Sequence, residues 1–181
     1  MGDHPHTVTN HQRARGFTLL ELLVTIAVAA ILLAIAIPSY RSVVQRNAMA
    51  ATVNDLVGDL NYARSQAVTR GQRVYVCKSS GNSACNAGGD WSQGWLVYVP
   101  DPDSTTPTRA NTLRVRGALE GQITISGNNN VDSVAFFDPN GFAMGSIGTF
   151  TANADSTAQQ TEIVISGTGR IRTEKTVETS S

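Results

Sequence analysis

The sequence predicts an α+β protein in which one long N-terminal helix packs against an antiparallel β domain. An apolar run fills residues 17–37, and helical spacing without proline continues over residues 40–70. After Gly71 the pattern changes to short alternating segments separated by Gly- and Pro-rich pieces. We therefore divide the chain into residues 1–16, 17–38, 39–71 and 72–181.

The apolar run is long enough to cross a membrane. The 21 residues from Phe17 to Ile37 form a helix of roughly 30 Å, which matches the hydrocarbon core of a bilayer. Arg13 and Arg15 lie on its amino side. Because positive residues stay cytoplasmic, we expect the leader inside the cell and everything after Ser39 exported.

Glu21 is the one acidic residue in this run. A carboxylate at the centre of a membrane helix costs about 2.5–3.5 kcal/mol, and less near an end, so its presence indicates function. A free amine on a neighbouring copy would neutralise it. Cleavage after Gly16 would create such an amine at Phe17.

This region resembles the type III leader and N-terminal helix of type IV pilins and type II secretion pseudopilins. Gly16, Phe17, Glu21 at the fifth mature position and Pro38 near mature position 22 match the pattern of that family. The resemblance implies a pilin-like fold. It also implies that a prepilin peptidase cleaves between Gly16 and Phe17 and methylates the new amine of Phe17. The resemblance further implies that Glu21 guides the subunit from the inner membrane into a helical filament of pilin or pseudopilin subunits.

Two simpler interpretations of the run are less consistent with these residues. A plain single-pass anchor would need neither Glu21 nor the Gly16–Phe17 junction. A secretory signal peptide would be cleaved near Ala34-Ile35-Ala36, leaving a soluble product that begins at Ile37. Its apolar region normally spans about 7–15 residues and carries no acid.

Composition favours an exported β domain. Roughly 140 residues follow the apolar run, enough for one modest domain. The formal net charge is zero and only 15% of residues are charged. No global field attracts nucleic acid, so any such contact must be local.

The two cysteines, Cys77 and Cys85, enclose a short polar loop. In an oxidising compartment we expect them to form a disulfide. A metal site is the weaker alternative, because two thiolates without a nearby histidine do not complete a tetrahedral shell.

Residues 39–71 predict an amphipathic continuation of the helix, kinked at Pro38 and ended by Gly71. Apolar residues at helical spacing form a stripe along one side of this helix: Val53, Leu56, Val57, Leu60, Ala63 and Ala67. The charged residues Asp55, Asp59, Arg64 and Arg70 are expected on the other sides.

Seven segments of residues 72–181 predict strands, and we expect them to cover the apolar stripe of the helix. They are residues 73–78, 95–99, 113–116, 123–126, 134–137, 162–166 and 170–173.

Three later pieces resemble the GspH/FimT-type branch, whose members are minor pilus or pseudopilus subunits. They are residues 60–67, the Phe137–Gly141 turn and the closing Gly169–Arg172 hairpin.

Nothing in the sequence predicts an enzyme. All three histidines (His4, His6 and His11) precede the cleavage point, so the mature chain has no imidazole base or metal ligand. No nucleophile turn or phosphate-binding loop occurs. We expect no catalytic residues, cofactor or metal.

The terminal hairpin is the best candidate for a binding site. Arg170 and Arg172 are expected to share one strand face about 6.6 Å apart, with Ile171 toward the core and Lys175 adding a third charge. In FimT-like members a Gly-Arg-x-Arg motif at this place is associated with DNA binding during uptake. Two or three phosphate contacts imply that the logarithm of the binding constant falls with the logarithm of the salt concentration with a slope of only about −2 to −3. Binding by one subunit would therefore be weak.

Competing interpretations of these charges stay open. Glu174 would subtract from the positive field if the strand continues, and Glu162 is a possible cross-strand partner for either arginine. Arg114 and Arg116 are expected to be solvated edge charges rather than part of a DNA surface. Four aromatic residues are expected in the core rather than as stacking faces: Tyr75, Trp91, Trp95 and Tyr98.

The function predicted from the sequence is therefore a minor type IV pilin that binds DNA non-specifically. The alternative is a minor pseudopilin of type II secretion, which would share the same assembly chemistry but not the DNA.

Overall fold

The computed structural model describes residues 17–80, 84–86, 88–102, 106–120, 122–154 and 159–177. The leader, with its histidines and Gly16, lies outside the described residues. One helix, α1 (Leu19–Arg70), precedes eight strands. The strands are β1 (Val74–Lys78), β2 (Trp95–Tyr98), β3 (Thr112–Arg116), β4 (Ile123–Gly127), β5 (Val134–Phe137), β6 (Gly148–Ala154), β7 (Gln159–Ile165) and β8 (Ile171–Val177).

The chain divides into two units, residues 1–40 and 41–181. In the first unit every large apolar side chain from Leu19 to Ile37 is between 49% and 77% exposed. Within the described residues α1 is the one helix long and apolar enough to cross a membrane. Pro38 lies inside α1, and the kink expected there stays a prediction.

Helix α1 ends where the sequence predicts. Gly71 has φ 63°, a left-handed conformation that favours glycine. The N–H of Gln72 donates to the carbonyl of Ala67 at 3.3 Å, which satisfies one of the last helical acceptors.

The strands of the second unit form two antiparallel four-stranded sheets. Their orders are β3-β2-β1-β5 and β4-β6-β7-β8. All seven predicted strands are present, and their ends coincide with the predicted ones or differ by up to four residues. The sequence analysis missed β6, because the buried positions of this strand are mostly small residues rather than the β-branched ones that signal a strand.

The distal half of α1 forms the centre of the core, as the apolar stripe predicted. Leu56, Leu60, Ala63 and Ala67 are fully buried. They belong to one apolar cluster with side chains from both sheets. Trp91, in a short 3₁₀ turn at Trp91–Gln93, packs edge-on against Phe150 at 5.0 Å between ring centroids.

The prediction that Asp59 lies on the polar side of the helix is wrong, because Asp59 is buried with only 3% of its surface exposed. Its Oδ2 accepts a hydrogen bond from the indole of Trp95 at 2.9 Å, and its Oδ1 accepts one from Arg114 at 2.8 Å. The position of Asp59, three residues after Leu56 and one before Leu60, places it on the same side of α1 as the apolar stripe.

Arg114 and Arg116 lie on the edge strand β3 with 47% and 40% of their side chains exposed, as expected, but both also pair with carboxylates of α1. In the register of β3 they lie opposite Val97 and Trp95, which are core residues, so both arginines face the helix. Arg116 pairs with Asp55 at 3.2 Å. The hydrogen bond to Asp59 raises the pKa of Arg114 above its usual range, and its guanidinium lies 3.6 Å from the ring centroid of Tyr62. The carboxylates of Asp55 and Asp59 offset the charges of both arginines.

We predict that Asp59→Ala lowers the free energy of unfolding of the 41–181 unit by about 2 kcal/mol, because the buried indole N–H of Trp95 loses its acceptor. Asp55→Ala is the matched control and should cost less than about 1 kcal/mol, since that ion pair is close to half exposed. Urea unfolding monitored by tryptophan fluorescence measures both. Equal losses in the two variants would contradict a special role for Asp59.

Candidate functional site

The start of α1 carries a local contact that the sequence analysis did not identify. The backbone N–H of Glu21 donates to the hydroxyl of Thr18 at 3.2 Å, so Thr18 caps the helix. The spacing of Thr18 and Glu21 is that of a capping box, a pattern visible in the sequence. Glu21 therefore occupies a first-turn position that favours an acid locally, in addition to its predicted role in assembly.

A second site joins the three pieces that carry the branch resemblance. Arg64, on α1, donates from Nε to the carbonyl of Gly141 at 3.0 Å and from Nη2 to the carbonyl of Thr168 at 3.2 Å. Gly141 closes the turn after β5, and Thr168 lies in the turn between β7 and β8. We call this set of contacts the Arg64 junction.

Glycine is required on both sides of the Arg64 junction. Gly141 and Gly169 have φ of 77° and 73°, where side-chain-bearing residues are strained. A Cβ on Gly169 would also overlap the carbonyl oxygen of Gly141 and approach Nε of Arg64 at 3.0 Å. The glycine of the Gly-Arg-x-Arg motif therefore has a structural reason for being glycine.

The Asp138 carboxylate shapes the turn that meets Arg64. Its Oδ1 accepts hydrogen bonds from the backbone N–H groups of Asn140 and Phe142, both at 2.9 Å. These bonds fix the Gly141 carbonyl toward the helix. The sequence motif at residues 137–141 is thus a turn held by hydrogen bonds to the Asp138 side chain.

Arg170 and Arg172 are both exposed, Arg170 just before β8 and Arg172 within it. Among the described residues the guanidinium of Arg170 has no hydrogen-bond or ion-pair partner, whereas its backbone groups bond the hydroxyl of Ser166. Arg172 pairs with Glu174 on the same strand, Nε to Oε1 at 2.9 Å. The alternative ion pair of Glu162 with either arginine is not present among the described residues, and Glu162 lies opposite Glu174 in the register.

Lys175 does not join this pair of arginines. It lies opposite Thr161 and lines a cavity beside α1, so it is on the helix-facing side of β8. Ile171 is on that side too, and it packs against the core as predicted. The arginine face of β8 thus has two cations, and the carboxylates of Glu162 and Glu174 offset them.

The predicted disulfide between Cys77 and Cys85 is present, with their Cα atoms 5.6 Å apart. It borders an apolar cavity of about 460 Å³ on the outer face of the first sheet. Tyr75 and Tyr98 stack there at 5.6 Å between centroids. Burial, with a smaller contribution from Tyr75, raises the pKa of Tyr98 to about 12.

The tryptophans are core residues, as expected. Trp91 and Trp95 are 0% and 1% exposed, so neither offers a face to nucleic-acid bases. Within the described part of the chain no group of three or more His, Cys, Asp or Glu side chains is arranged to hold a metal.

Comparison with known families agrees with the fold and with the start of α1. The model of the type II transport protein GspH matches residues 52–169. The chain belongs to the GspH family. The model of the prokaryotic N-terminal methylation motif matches residues 11–37, which contain Gly16, Phe17 and Glu21. The chain is thus a member of the minor pilins and pseudopilins, which are structural filament components.

Solved structures show the same fold. The type IV minor pilin FimU of Pseudomonas aeruginosa matches in two crystal forms. One is 23% identical with a TM-score of 0.58 and covers 71% of this chain and 90% of FimU. The other is 22% identical with a TM-score of 0.53 and covers 71% and 91%. A comparison with curated protein sequences gives no significant match.

The GspH match ends at Gly169, so it includes the Arg64 junction but not Arg170 or Arg172. The family therefore accounts for the turn and the hairpin corner. The arginines beyond it must be judged by their own geometry.

We predict that Gly169→Ala lowers the free energy of unfolding of the 41–181 unit by about 2–3 kcal/mol, because alanine is strained at positive φ and its Cβ would displace the Gly141 carbonyl. Gly117→Ala is the matched control, since no atom lies within 4 Å of a Cβ there. Thermal unfolding compares the two variants. A Gly169→Ala protein as stable as the control would show that the junction tolerates a side chain.

Proposed function

We propose that this protein is a minor type IV pilin, processed at Gly16–Phe17 and held in the inner membrane until it joins a filament. The observation that carries the proposal is the uncovered apolar surface of α1 from Leu19 to Ile37, inside a match to the methylation motif. Such a surface is stable only in lipid or against other subunits. Prepilin peptidase and neighbouring pilins are the partners this implies.

Glu21 is the residue we assign to assembly. In lipid its carboxylate is costly unless neutralised, and the N-methylated amine of Phe17 on an adjacent subunit would neutralise it. The domain outside the membrane would remain periplasmic until extraction into the filament. Pro38 would allow the helix to bend as it leaves the membrane.

We further propose that Arg170 and Arg172 bind the phosphate backbone of DNA non-specifically. The exposure of both arginines and the lack of a described partner for the Arg170 guanidinium support this. The ion pair with Glu174 weakens the contact, so capture would need several subunits acting together. The corner at Gly169 holds the two arginines at a fixed edge of the second sheet.

The second candidate is a minor pseudopilin of type II secretion. It is favoured by the description of the matching family as a type II transport protein. The offsetting carboxylates of Glu162 and Glu174 near the arginines also favour it. Both candidates share the membrane helix and Glu21, and they differ only in whether the hairpin binds DNA.

Processing predicts a defined mature terminus. In cells with an active prepilin peptidase, mass spectrometry of the purified protein should find an N-methylated Phe17 as the first residue. Retention of Met1, or a start at Ile37, would contradict the proposal.

Assembly predicts that the charge of Glu21 matters more than its capping position. Glu21→Gln keeps the capacity to complete a capping box but removes the charge, and we expect it to abolish incorporation into sheared filaments. Thr18→Ala is the matched control, because it removes the cap and keeps the carboxylate, at a cost of about 1 kcal/mol in helix stability. Quantitative immunoblotting of filament fractions measures both variants.

The opposite ranking would contradict this assignment. If Thr18→Ala abolishes incorporation while Glu21→Gln does not, Glu21 acts only through the local cap. Membrane levels of each variant must match those of the unaltered protein, since loss of insertion would also deplete the filament.

The DNA-binding proposal predicts opposite effects on affinity from removing the two arginines and from removing the nearby carboxylate of Glu174. Arg170→Gln with Arg172→Gln should abolish binding of duplex DNA by the 41–181 unit, because the salt slope is expected to be only about −2. Glu174→Gln should strengthen binding severalfold, since it frees Arg172 and removes a repulsive charge. Fluorescence anisotropy across a salt series measures the slope.

Arg109→Gln provides a control that removes one exposed positive charge elsewhere. It should leave the affinity nearly unchanged. If the unaltered unit fails to bind at low salt, or if Glu174→Gln has no effect, the DNA proposal is contradicted and the secretion candidate is favoured.

A further inference from the structure

A cavity of about 380 Å³ lies between α1 and the strands β7 and β8. It is separate from the arginine face of β8, because its strand side chains point toward the helix. Its polar lining consists of Arg46, Asn47, Asn54, Thr161, Thr173 and Lys175.

The charge of this cavity is positive. Arg46 and Lys175 line it, and no carboxylate is among the residues that do so. The nearest acids of the two strands, Glu162 and Glu174, are on the opposite sheet face, since they alternate with Thr161 and Lys175.

The donors in this cavity are largely unused. Arg46 is oriented by Ser42, with Nε to the carbonyl at 3.3 Å and Nη2 to the hydroxyl at 3.2 Å. Its Nη1, the ammonium of Lys175 and the side-chain amide of Asn54 have no hydrogen-bond partner in the described parts of the chain. Two cations and neutral donors around one cavity are the groups that bind a phosphate.

The position of the cavity in the chain limits the source of that phosphate. Arg46 follows Ile37, the end of the apolar run, by nine residues. Even a fully extended chain of nine residues spans no more than roughly 30 Å, so the cavity stays near the membrane surface while the helix is inserted. Phospholipid headgroups are the phosphates present there at high density.

We propose that this cavity binds the phosphate of an anionic phospholipid headgroup before the subunit enters a filament. Arg46 and Lys175 contact the phosphate, and the amide and hydroxyl groups accept and donate to the rest of the headgroup. The bound lipid would hold the exported domain at the membrane surface. Extraction into a filament would then require release of the lipid.

The sequence offers a selective probe for this site. Lys78 and Lys175 are the only two lysines in the chain, and Lys78 is buried with 2% of its surface exposed. Acetylation by an uncharged reagent, quantified by mass spectrometry, therefore reports on Lys175. Lys78 serves as the internal reference for unfolding.

The experiment uses the full chain reconstituted into phosphatidylcholine vesicles with or without one quarter phosphatidylglycerol. We expect phosphatidylglycerol to slow acetylation of Lys175 about fivefold. Arg46→Gln should remove most of this protection, because the phosphate loses its second cation. Arg109→Gln, which removes an equal exposed charge that does not line the cavity, should retain the protection.

Three results would overturn the proposal. They are an equal acetylation rate in both vesicles, protection that persists in Arg46→Gln, and equal protection by inorganic phosphate in pure phosphatidylcholine vesicles. The last would assign the cavity to a soluble phosphate rather than a lipid. None of these results bears on DNA binding, which depends on Arg170 and Arg172.

Discussion

The Arg64 junction is the interaction on which the arrangement of the 41–181 unit depends. One guanidinium bonds two backbone carbonyls more than 70 residues away in sequence, at Gly141 and Thr168. It thereby fixes the turn after β5 and the corner before β8 to the same point of α1. Because the carbonyls are backbone groups, their positions depend on the left-handed glycines that accompany them. Arg170 and Arg172 follow this corner directly, so the junction fixes where they lie.

Helix α1 serves two environments with one continuous secondary structure. Its first part is apolar on every side and uncovered, whereas its second part is apolar along a stripe that the two sheets bury. The buried Asp59 fixes the rotation of the second part about the helix axis, because its carboxylate can accept hydrogen bonds from Trp95 and Arg114 only when it faces the first sheet. Under the proposed function, this division would let neighbouring subunits replace lipid around the first part while the second part stays folded in its domain.

The sequence predicted what depends on periodicity and on residues with strong local preferences. The helix, its end at Gly71, the disulfide and seven strands are of this kind. It missed β6, whose buried side chains are mostly alanine, and the burial of Asp59, whose partners come from strands 36 and 55 residues away. It also placed Lys175 with Arg170 and Arg172, although strand alternation assigns residue 175 to the other face. The acceptors of Arg64 could not be predicted, because a backbone carbonyl carries no sequence signature.

Hydrogen exchange in an Arg64→Met variant of the 41–181 unit tests the central role of the junction most directly. Methionine keeps the apolar stem but donates no hydrogen bond. The account predicts faster exchange at Ala143, which bonds the Gly167 carbonyl, and at Gly169, which bonds Ser166. Exchange at Val76 in β1 should stay unchanged. Unchanged protection at Ala143 and Gly169, or an equal increase at all three amides, would contradict it.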